Sequence, residues 1–510
     1  MNDHTTTPAW QLYESGLEYN RKINLYETVR RNERFYRGEQ WDGIERDLPR
    51  PVFNLVRRIV DYLVGAITPV NLSIRYTDER LPYLENAALR ENVSRGLQLL
   101  DSNAAYRWKS DRMNEVASRA LLNAAISGDG VFYCWWDASQ DRGQPFAGDI
   151  RTDVIDSGNL FVSDVNCTDL QAQDDILLAG RATVDSLRRE ALENGASEKD
   201  LARILPDDGD VTIPERTGSD KATYLIHFFR ENGEVIFEKS TRSCLIRRAP
   251  TGLRFYPVAY FNWSPRKGSY HGSSPISELI PNQKYINAAY ALVMKHMNNT
   301  AFSKVVYDKS RIPEWSNEVG EAIAAVGGGD VSDAVSVLGT GQMQEGYLEL
   351  IESVIETTKS LMGATDSALG DERANNTSAI LALREASMIS LRQVSARFSR
   401  CLGELASIWA DMLCAYCPPE RLLPVTENGV VTAHRVDYRL LSRELLRATA
   451  ECGDTTRFTP SATVTLLGEL LSGGHITVRQ YLQYLPDGCI ADREALLREL
   501  NPEGGEVNDG

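Results

Sequence analysis

The sequence predicts an α+β, mostly helical, multi-domain chain, on three observations. Apolar residues recur at three and four through most of the N-terminal third and again from Pro275 onward, the period of helices with one buried face. Between these regions lies a β-rich stretch in which Asn232-Gly233 separates two runs, Tyr224–Arg230 and Glu234–Lys239, a strong hairpin signal. The chain has 510 residues, and at roughly 150 residues per domain that length gives about three to four domains.

Composition sets the class. Apolar residues make up 42% and charged residues 25%, the balance of a globular chain rather than a disordered, collagen-like or membrane-bundle one. There are 55 Lys and Arg against 71 Asp and Glu, a net charge of −16. That argues against gripping DNA by a broad basic face, which needs clustered cations, but not against letting DNA pass. The longest apolar candidate, Ile59–Val70, has 12 residues and contains Asp61, short of the ~18–20 needed to cross a bilayer. Glu14, Glu18, Arg21 and Lys22 interrupt the first 30 residues, so no secretory signal is expected. The eight cysteines are scattered and read as reduced thiols in a cytosolic setting.

The elements follow in order. A charged helix is expected from about Trp10 to Tyr36, closed by Gly38 in the aromatic and glycine turn Tyr36-Arg37-Gly38-Glu39-Gln40-Trp41. Val56, Ile59, Val60, Leu63, Val64 and Ile67 then mark a helix with Asn54 as N-cap and Pro69 as stop. Asn71–Thr77 alternates like a strand. Helices are expected over about Pro82–Leu100 and Ala104–Ile126, and Gly128-Asp129-Gly130 launches the strand Val131–Trp136. Cys244–Arg248 and Phe255–Trp263 read as further strands, followed by a loop broken at Pro265, Gly268 and Gly272. From Pro275 a helical stripe runs through Ile276, Leu279, Ile280, Ile286, Tyr290, Val293, Met294 and Met297, with Pro281 near its first turn.

Ser303–Tyr307 and Ala334–Leu338 read as strands flanking a short helix, Glu314–Val326, that Gly327-Gly328-Gly329 ends. The next helix carries Tyr347, Leu350, Ile351, Val354, Ile355, Thr358, Leu361 and Met362 on one face and Glu345, Glu349, Glu352 and Glu356 on the other. Gly363–Asn376 has no period. Thr377 or Ser378 caps a helical pattern that runs to about Tyr416, some 40 residues and so roughly 60 Å. Pro418-Pro419 ends it. Leu446–Cys452 is strand-like. Val464–Leu471, Thr477–Leu485 and Asp492–Leu500 are helical, and Asn501–Gly510 reads as a tail.

Chemical motifs are sparse. The sequence has no Walker A loop, dinucleotide fingerprint, HExxH or GxSxG; Gly268-Ser269-Tyr270-His271-Gly272 has Tyr at the nucleophile position. Cys414-Ala415-Tyr416-Cys417 lacks a second CxxC and reads as thiols at a helix end. His4, His227, His271, His296, His434 and His475 show no metal-ligand spacing. The Glu345–Glu356 stripe is either a solvated face or a wall of negative charge. No catalytic residue, cofactor or metal is expected.

The order of these elements resembles the portal proteins of tailed bacteriophages. The resemblance is carried by Phe35-Tyr36-Arg37-Gly38-Glu39-Gln40-Trp41 with Pro51 to Asp61, and by Val258–Trp263 through Gly272-Ser273-Ser274-Pro275 to Gln283 and Asn287. It continues in Gly370 through Asn375-Asn376-Thr377-Ser378 into the long helix, and in the short helices from Leu466 to Leu500. In that family the subunit has a wing, a stem, a clip and a crown, and usually twelve subunits form a ring around a DNA channel.

By motif order the resemblance implies a wing over residues 1–272, a first stem helix over 273–302 and a strand–helix–strand clip over 303–344. A second stem helix follows over 345–362, a tunnel loop over 363–376, a long spine helix with a wing strand over 377–458, and a helical crown with its tail over 459–510. It implies partners as well: other copies of the chain, the terminase large subunit, a head–tail connector or adaptor, major capsid and scaffolding proteins, and double-stranded DNA passing non-specifically. It places the protein in the virion at the portal vertex, and in the host cytoplasm during assembly, with no membrane.

Candidate DNA-channel residues are Lys284, Lys295, Glu349, Glu352, Glu356, Asp366, Asp371, Glu372, Arg373, Asn375 and Asn376. Candidate docking residues for terminase or connector are Glu314, Trp315, Glu318, Gly327, Gly328, Gly329 and Asp330. Lys284 and Lys295 either touch phosphate or pair with Glu349 or Glu352 of a neighbouring stem. The loop's three acids against Arg373 give a local charge of −2, which lowers friction with DNA phosphates. The alternatives are a soluble cytosolic enzyme of another family and a different head–tail adaptor ring.

Overall fold

The computed structural model of the chain describes residues 7–41, 48–69, 72–143, 147–208, 220–300, 304–316, 318, 321–338, 346–365, 389–418, 422–427, 430–435, 441, 446–452, 460–485, 489–490, 493, 496–497 and 500. Helix and sheet both contribute, with about half of the described residues helical.

The first expected helix is two. Helices α1 (Pro8–Lys22) and α2 (Leu25–Arg37) meet at Asn24, whose φ of 54° ends the ladder; Asn tolerates this left-handed region better than most residues. The break sends the two apolar faces to different places. Trp10, Tyr13 and Leu17 pack on Phe161, Leu177 and Leu225, whereas Phe35 joins the main core. Gly38, at φ 92°, closes α2 as expected. Asn54 caps α3 (Leu55–Ile67) by accepting from the Arg57 N–H at 3.0 Å. All six residues of its expected stripe are buried.

Strand β1 (Leu72–Asp78) is followed by α4 (Ala87–Ser110) and α5 (Met113–Ser127). The break between these helices falls at Asp111-Arg112 rather than at 101–103. Asn103 and Ala104 are buried, and the Asp101 carboxylate accepts the Tyr76 N–H at 2.7 Å. Tertiary partners thus override the turn preference of Asp-Ser-Asn.

Two antiparallel sheets follow. Strands β2 (Asp129–Asp137) and β3 (Asp149–Ile155) pair first. Strands β4 (Leu160–Val162) and β5 (Asp175–Thr183) then lead into α6 (Val184–Glu193) and α7 (Glu198–Ala202). Strands β6 (Lys221–Glu231), β7 (Glu234–Ser240), β8 (Leu245–Pro250) and β9 (Val258–Asn262) complete the set. The strand orders are β3-β2-β9 and β4-β5-β6-β7-β8. The β6–β7 turn has Asn232 at φ 53° and Gly233 at φ 83°, the two positive angles a type I′ turn needs.

Helix α8 (Pro275–Thr300) leaves this body and leads to β10 (Lys304–Tyr307), β11 (Val335–Leu338) and α9 (Gly346–Leu361). Among the described residues, strands β10 and β11 pair only with each other. The helix expected over Glu314–Val326 does not form: its described residues have no regular structure, and a 3₁₀ turn, Val331–Ala334, precedes β11. Ile323 and Val326 are exposed, so the segment has no surface to pack on, and a helix this short is marginal without one.

Helix α10 (Arg392–Tyr416) forms the last 25 residues of the long helical pattern expected to Tyr416. Its start at Thr377 lies outside the described residues, as do positions 366–376 of the expected loop. Phe398, Leu402, Leu405, Trp409 and Met412 are buried in the main core. Gly403 lets the helix approach the next elements: a Cβ there would sit 3.0 Å from the Ala448 carbonyl. Strands β12 (Leu422–Glu427) and β13 (Val430–Arg435) form a hairpin. Strand β14 (Leu446–Cys452) returns to pair with β1, Leu72 opposite Cys452, so residues nearly four hundred apart share one two-stranded sheet. Helices α11 (Pro460–Ser472) and α12 (Val478–Tyr484) end the described elements. Thr477 and Gln480 form a capping box on α12.

Candidate functional site

The root of α8 is built from buried polar groups. Asp129 opens β2 between two glycines. Its fully buried carboxylate receives the Gly272 N–H at 2.7 Å, Asn262 Nδ2 at 2.8 Å and the Tyr260 hydroxyl at 2.8 Å. His271 Nδ1 lies 2.6 Å from its other oxygen, and Nε2 lies 3.1 Å from Asn20 Oδ1 of α1. Burial beside Asp129 pushes the Tyr260 phenol well up. The loop into α8 is thereby tied to β2, β9 and α1. Backbones touch here: a Cβ on Gly272 would lie 2.6 Å from the Gly128 carbonyl. Arg397 of α10 adds donors to the carbonyls of Asn262, at 3.2 Å, and Trp263, at 2.6 Å.

Two turns into α8 a second network begins. Gln283 Oε1 accepts from the N–H groups of Leu55 (3.0 Å) and Val56 (3.2 Å), the first turn of α3. Its Nε2 donates to the Phe53 carbonyl and to Asn287 Oδ1, both at 2.9 Å. Asn287 Nδ2 donates to Gln40 Oε1 at 2.8 Å. Gln40 Nε2 donates to the Phe35 carbonyl and to Asn54 Oδ1, both at 3.0 Å. Asn54 Nδ2 closes on the Tyr36 carbonyl at 2.9 Å. The turn at Gly38 and the Gln-Asn pair of α8, read separately in the sequence, are one structure.

Further along, α8 and α9 pack side by side, with Asn282 Nδ2 donating to Thr358 Oγ1 at 3.0 Å. Only part of their apolar surface is covered. Leu292 is 61% exposed, Met297 60%, Tyr347 53%, Leu350 48% and Leu361 70%. Several large apolar side chains left exposed along one helix pair make it a candidate interaction face.

The structure places the candidate charges on this pair. Lys284 is exposed on α8, its Nζ 5.6 Å from the centre of the Phe35 ring; Lys295 is half-buried on the same helix. Glu349 and Glu352 are exposed on α9 and make no ion pair among the described residues. Glu356 pairs with Lys359 at 2.9 Å. Asp366, Asp371, Glu372, Arg373, Asn375 and Asn376 lie outside the described residues.

In the β10–β11 unit, Trp315 stacks on Tyr307 with ring centres 5.2 Å apart. Glu314, Glu318 and Gly327, Gly328 and Gly329 are exposed. Gly327 and Gly329 have φ of 107° and 123°, so the turn depends on glycine. Arg311 holds it by donating to the Asp330 carbonyl at 3.0 Å and by accepting the Val326 N–H at its own carbonyl at 2.7 Å. The Asp330 carboxyl is held below the usual range by the Ser332 N–H, and that of Asp308 by the Ser310 hydroxyl.

A cleft of about 730 Å³ separates the two sheets, its walls including Tyr133, Trp135, Tyr224, Phe228 and Phe237. Its Glu190 and Lys239 pair at 2.7 Å, and burial pushes the Cys134 thiol up to about 12, far from reactive. Among the described residues no group of three or more His, Cys, Asp and Glu could hold a metal, and no helix is long and apolar enough to cross a membrane. Sequence reading missed the pairing of Asp129 with His271. The available signal was an acid between two glycines, a carboxylate that only close-packed backbone would surround.

The fold is therefore an α+β body from which two helices carry a small two-stranded unit. Residues 234–436 match the family model for the phage P22-like portal protein. The match takes in α8, the β10–β11 unit, α9 and α10, about two fifths of the chain, and supports a tailed-phage portal protein, bearing out the resemblance read from the sequence. No curated protein matches the chain.

Proposed function

We propose that this chain is the subunit of a portal ring at one vertex of a phage capsid, the channel through which double-stranded DNA is packaged and ejected. The observation that carries this reading is the family match across the helix–strand-pair–helix insertion, whose two helices keep several large apolar side chains exposed among the described residues. Neighbouring copies supply the missing burial.

In this reading residues 1–272 form the wing, and α8 and α9 the stem within 273–302 and 345–362. Residues 303–344 form a clip that docks the terminase large subunit and later the head–tail connector. Residues 363–376 form a tunnel loop, 377–458 the spine and a wing strand, and 459–510 the crown. Glu349, Glu352 and Glu356 face the channel, and twelve copies carry roughly −190 formal charges, repelling phosphate so that DNA slides. Contact with DNA through Lys284 and Lys295 is transient and salt-dependent. The packaging motor is a separate ATPase.

Light scattering tests the assembly. One chain is 56.9 kDa, and a ring of twelve gives about 680 kDa, with end-on electron microscopy counting the subunits. A monomer to tetramer at micromolar concentration sinks the ring reading.

A further inference from the structure

Helix α8 contains both a weak point and a lock, two residues apart. Pro281 lies inside the helix. It has no N–H to offer the Ser277 carbonyl, and its ring crowds that carbonyl, so the helix loses a ladder bond there. The turn before the proline is fixed to the body. Asn32 Nδ2 lies 3.0 Å from Ser277 Oγ and 2.8 Å from the Ile126 carbonyl, and the Asp129 network holds the loop just upstream. The turn after it is held by Gln283.

We propose that Pro281 is a hinge and the Gln283 amide a latch, which together set the tilt of residues 282–300 against the body. The latch spans two elements. Gln283 serves α3 as a borrowed N-cap, satisfying Leu55 and Val56, while Asn54 satisfies Arg57. Its amide nitrogen faces Phe53 and Asn287, and through Asn287 the restraint reaches Gln40 and the Gly38 turn. The bonding capacity of the Gln283 side chain is fully used, and Gln283, Asn287 and Gln40 are buried. These bonds join neutral groups, so opening them strands no charge. Val52 and Phe53, the latter bonded to Gln283 through its carbonyl, are exposed at the edge of the network.

The lever is long. Thr300 lies nineteen residues beyond Pro281, so at about 1.5 Å per residue a tilt of about 10° moves it by about 5 Å. Helix α9 is coupled to the moving part, because Asn282 holds Thr358. On the portal reading, that displacement changes the bore between wing and clip; the hinge itself does not depend on that reading.

Single-molecule energy transfer on the full chain tests the device. Dyes are attached through azido residues at Tyr83 and Asn298, both exposed, and labelled chains are diluted into unlabelled ones, so one subunit is read whether or not rings form. Gln283→Ala is expected to broaden the efficiency distribution about twofold and to speed hydrogen exchange at Leu55 and Val56 at least tenfold. Adding Pro281→Ala is expected to restore the narrow distribution while exchange at Leu55 and Val56 stays fast. A merely structural cap would not show that rescue. Faster exchange without broadening overturns the latch, and broadening that survives Pro281→Ala overturns the hinge. Should Gln283→Ala fail to fold, Asn287→Ala, which removes the link to Gln40 and one acceptor of the Gln283 amide but leaves its bonds to Leu55, Val56 and Phe53, must still broaden the distribution; an unchanged width overturns the proposal.

Discussion

Removing the Asp129 carboxylate is the most severe single change available at the root of α8, and its cost follows from counting stranded donors. Tyr260 and Asn262 both keep the Tyr270 carbonyl as a second acceptor, at 2.5 and 2.8 Å. The Gly272 N–H and His271 Nδ1 have Asp129 as their acceptor. An orphaned buried donor costs about 1–3 kcal/mol, so Asp129→Ala should lose about 4 kcal/mol from these two. Asp129→Asn should lose about 1 kcal/mol, because its Oδ1 still meets Gly272 and the imidazole can present its other tautomer to the new amide. For a unit of a few hundred residues, 4 kcal/mol is on the order of 10 °C in Tm. Calorimetry of both variants against the parent reads the difference. Equal melting of the Ala and Asn variants, or a fall under about 2 °C for Ala, would refute the donor count.

Four further outcomes are expected. Burial pushes the Glu404 carboxyl up to about 7, against a hydrogen bond from Gln171 that acts the other way. Its folded pKa exceeds its unfolded one, so stability is fullest below about pH 4.5 and declines as pH rises to about 7; Glu404→Gln should flatten that decline in urea midpoints, and an unaltered slope counts against it. Leu350→Glu, on an exposed face, should leave the melting temperature within about 2 °C yet shift scattering mass from ring to free chain; persisting rings would show that this face is not an interface. Trp315→Ala removes the Tyr307 stack and should weaken terminase capture by full rings at least tenfold; undiminished capture moves the docking site off this unit. Shortening 364–371 should leave rings intact and lower DNA packaging, and normal packaging would make the loop a linker.

What the sequence disclosed depended on whether partners were local. The stripe of α3, the Asn54 cap and the Asn232-Gly233 turn need only neighbouring residues, and each forms as read. The failures share a different cause. The α4–α5 break is displaced because Asp101 answers to Tyr76, a residue on another element. The Glu314–Val326 helix is absent because amphipathicity needs a surface, and this chain provides none there. Strand β3 begins with Asp149 and Ile150 both buried, which spoils the alternation that would have announced it; Asp149 is inside because Arg107 of α4 reaches it at 2.6 Å. At the candidate site, Gln283 and Asn287 were legible as a motif. Their task was not, since the groups they satisfy lie more than two hundred residues away.

The two ends of α8 are stabilised by different means, and this bears on how the protein reaches its working state. Near Pro275 every tie is intramolecular: the Asp129 cluster, the Asn32–Ser277 contact and the Gln283 network form within one chain. Toward Thr300 the balance reverses. Leu292 and Met297 on α8 and Tyr347 and Leu350 on α9 keep about half or more of their surface in water, forgoing about 1 kcal/mol for each side chain whose remaining surface association would bury. Beyond them lies a sheet of only two strands among the described residues, an arrangement marginal by itself. A free chain on this account holds a firm body and a loosely held tip, and neighbouring copies stabilise the tip by covering it. Hydrogen exchange should therefore be fast at 288–300, 304–312, 326–338 and 346–354 in dilute chain and slow in the assembly, while the protection of 258–287 stays the same in both. Equal protection of the tip in both states would mean that the exposed rows are ordinary surface, and the interface would have to be sought elsewhere.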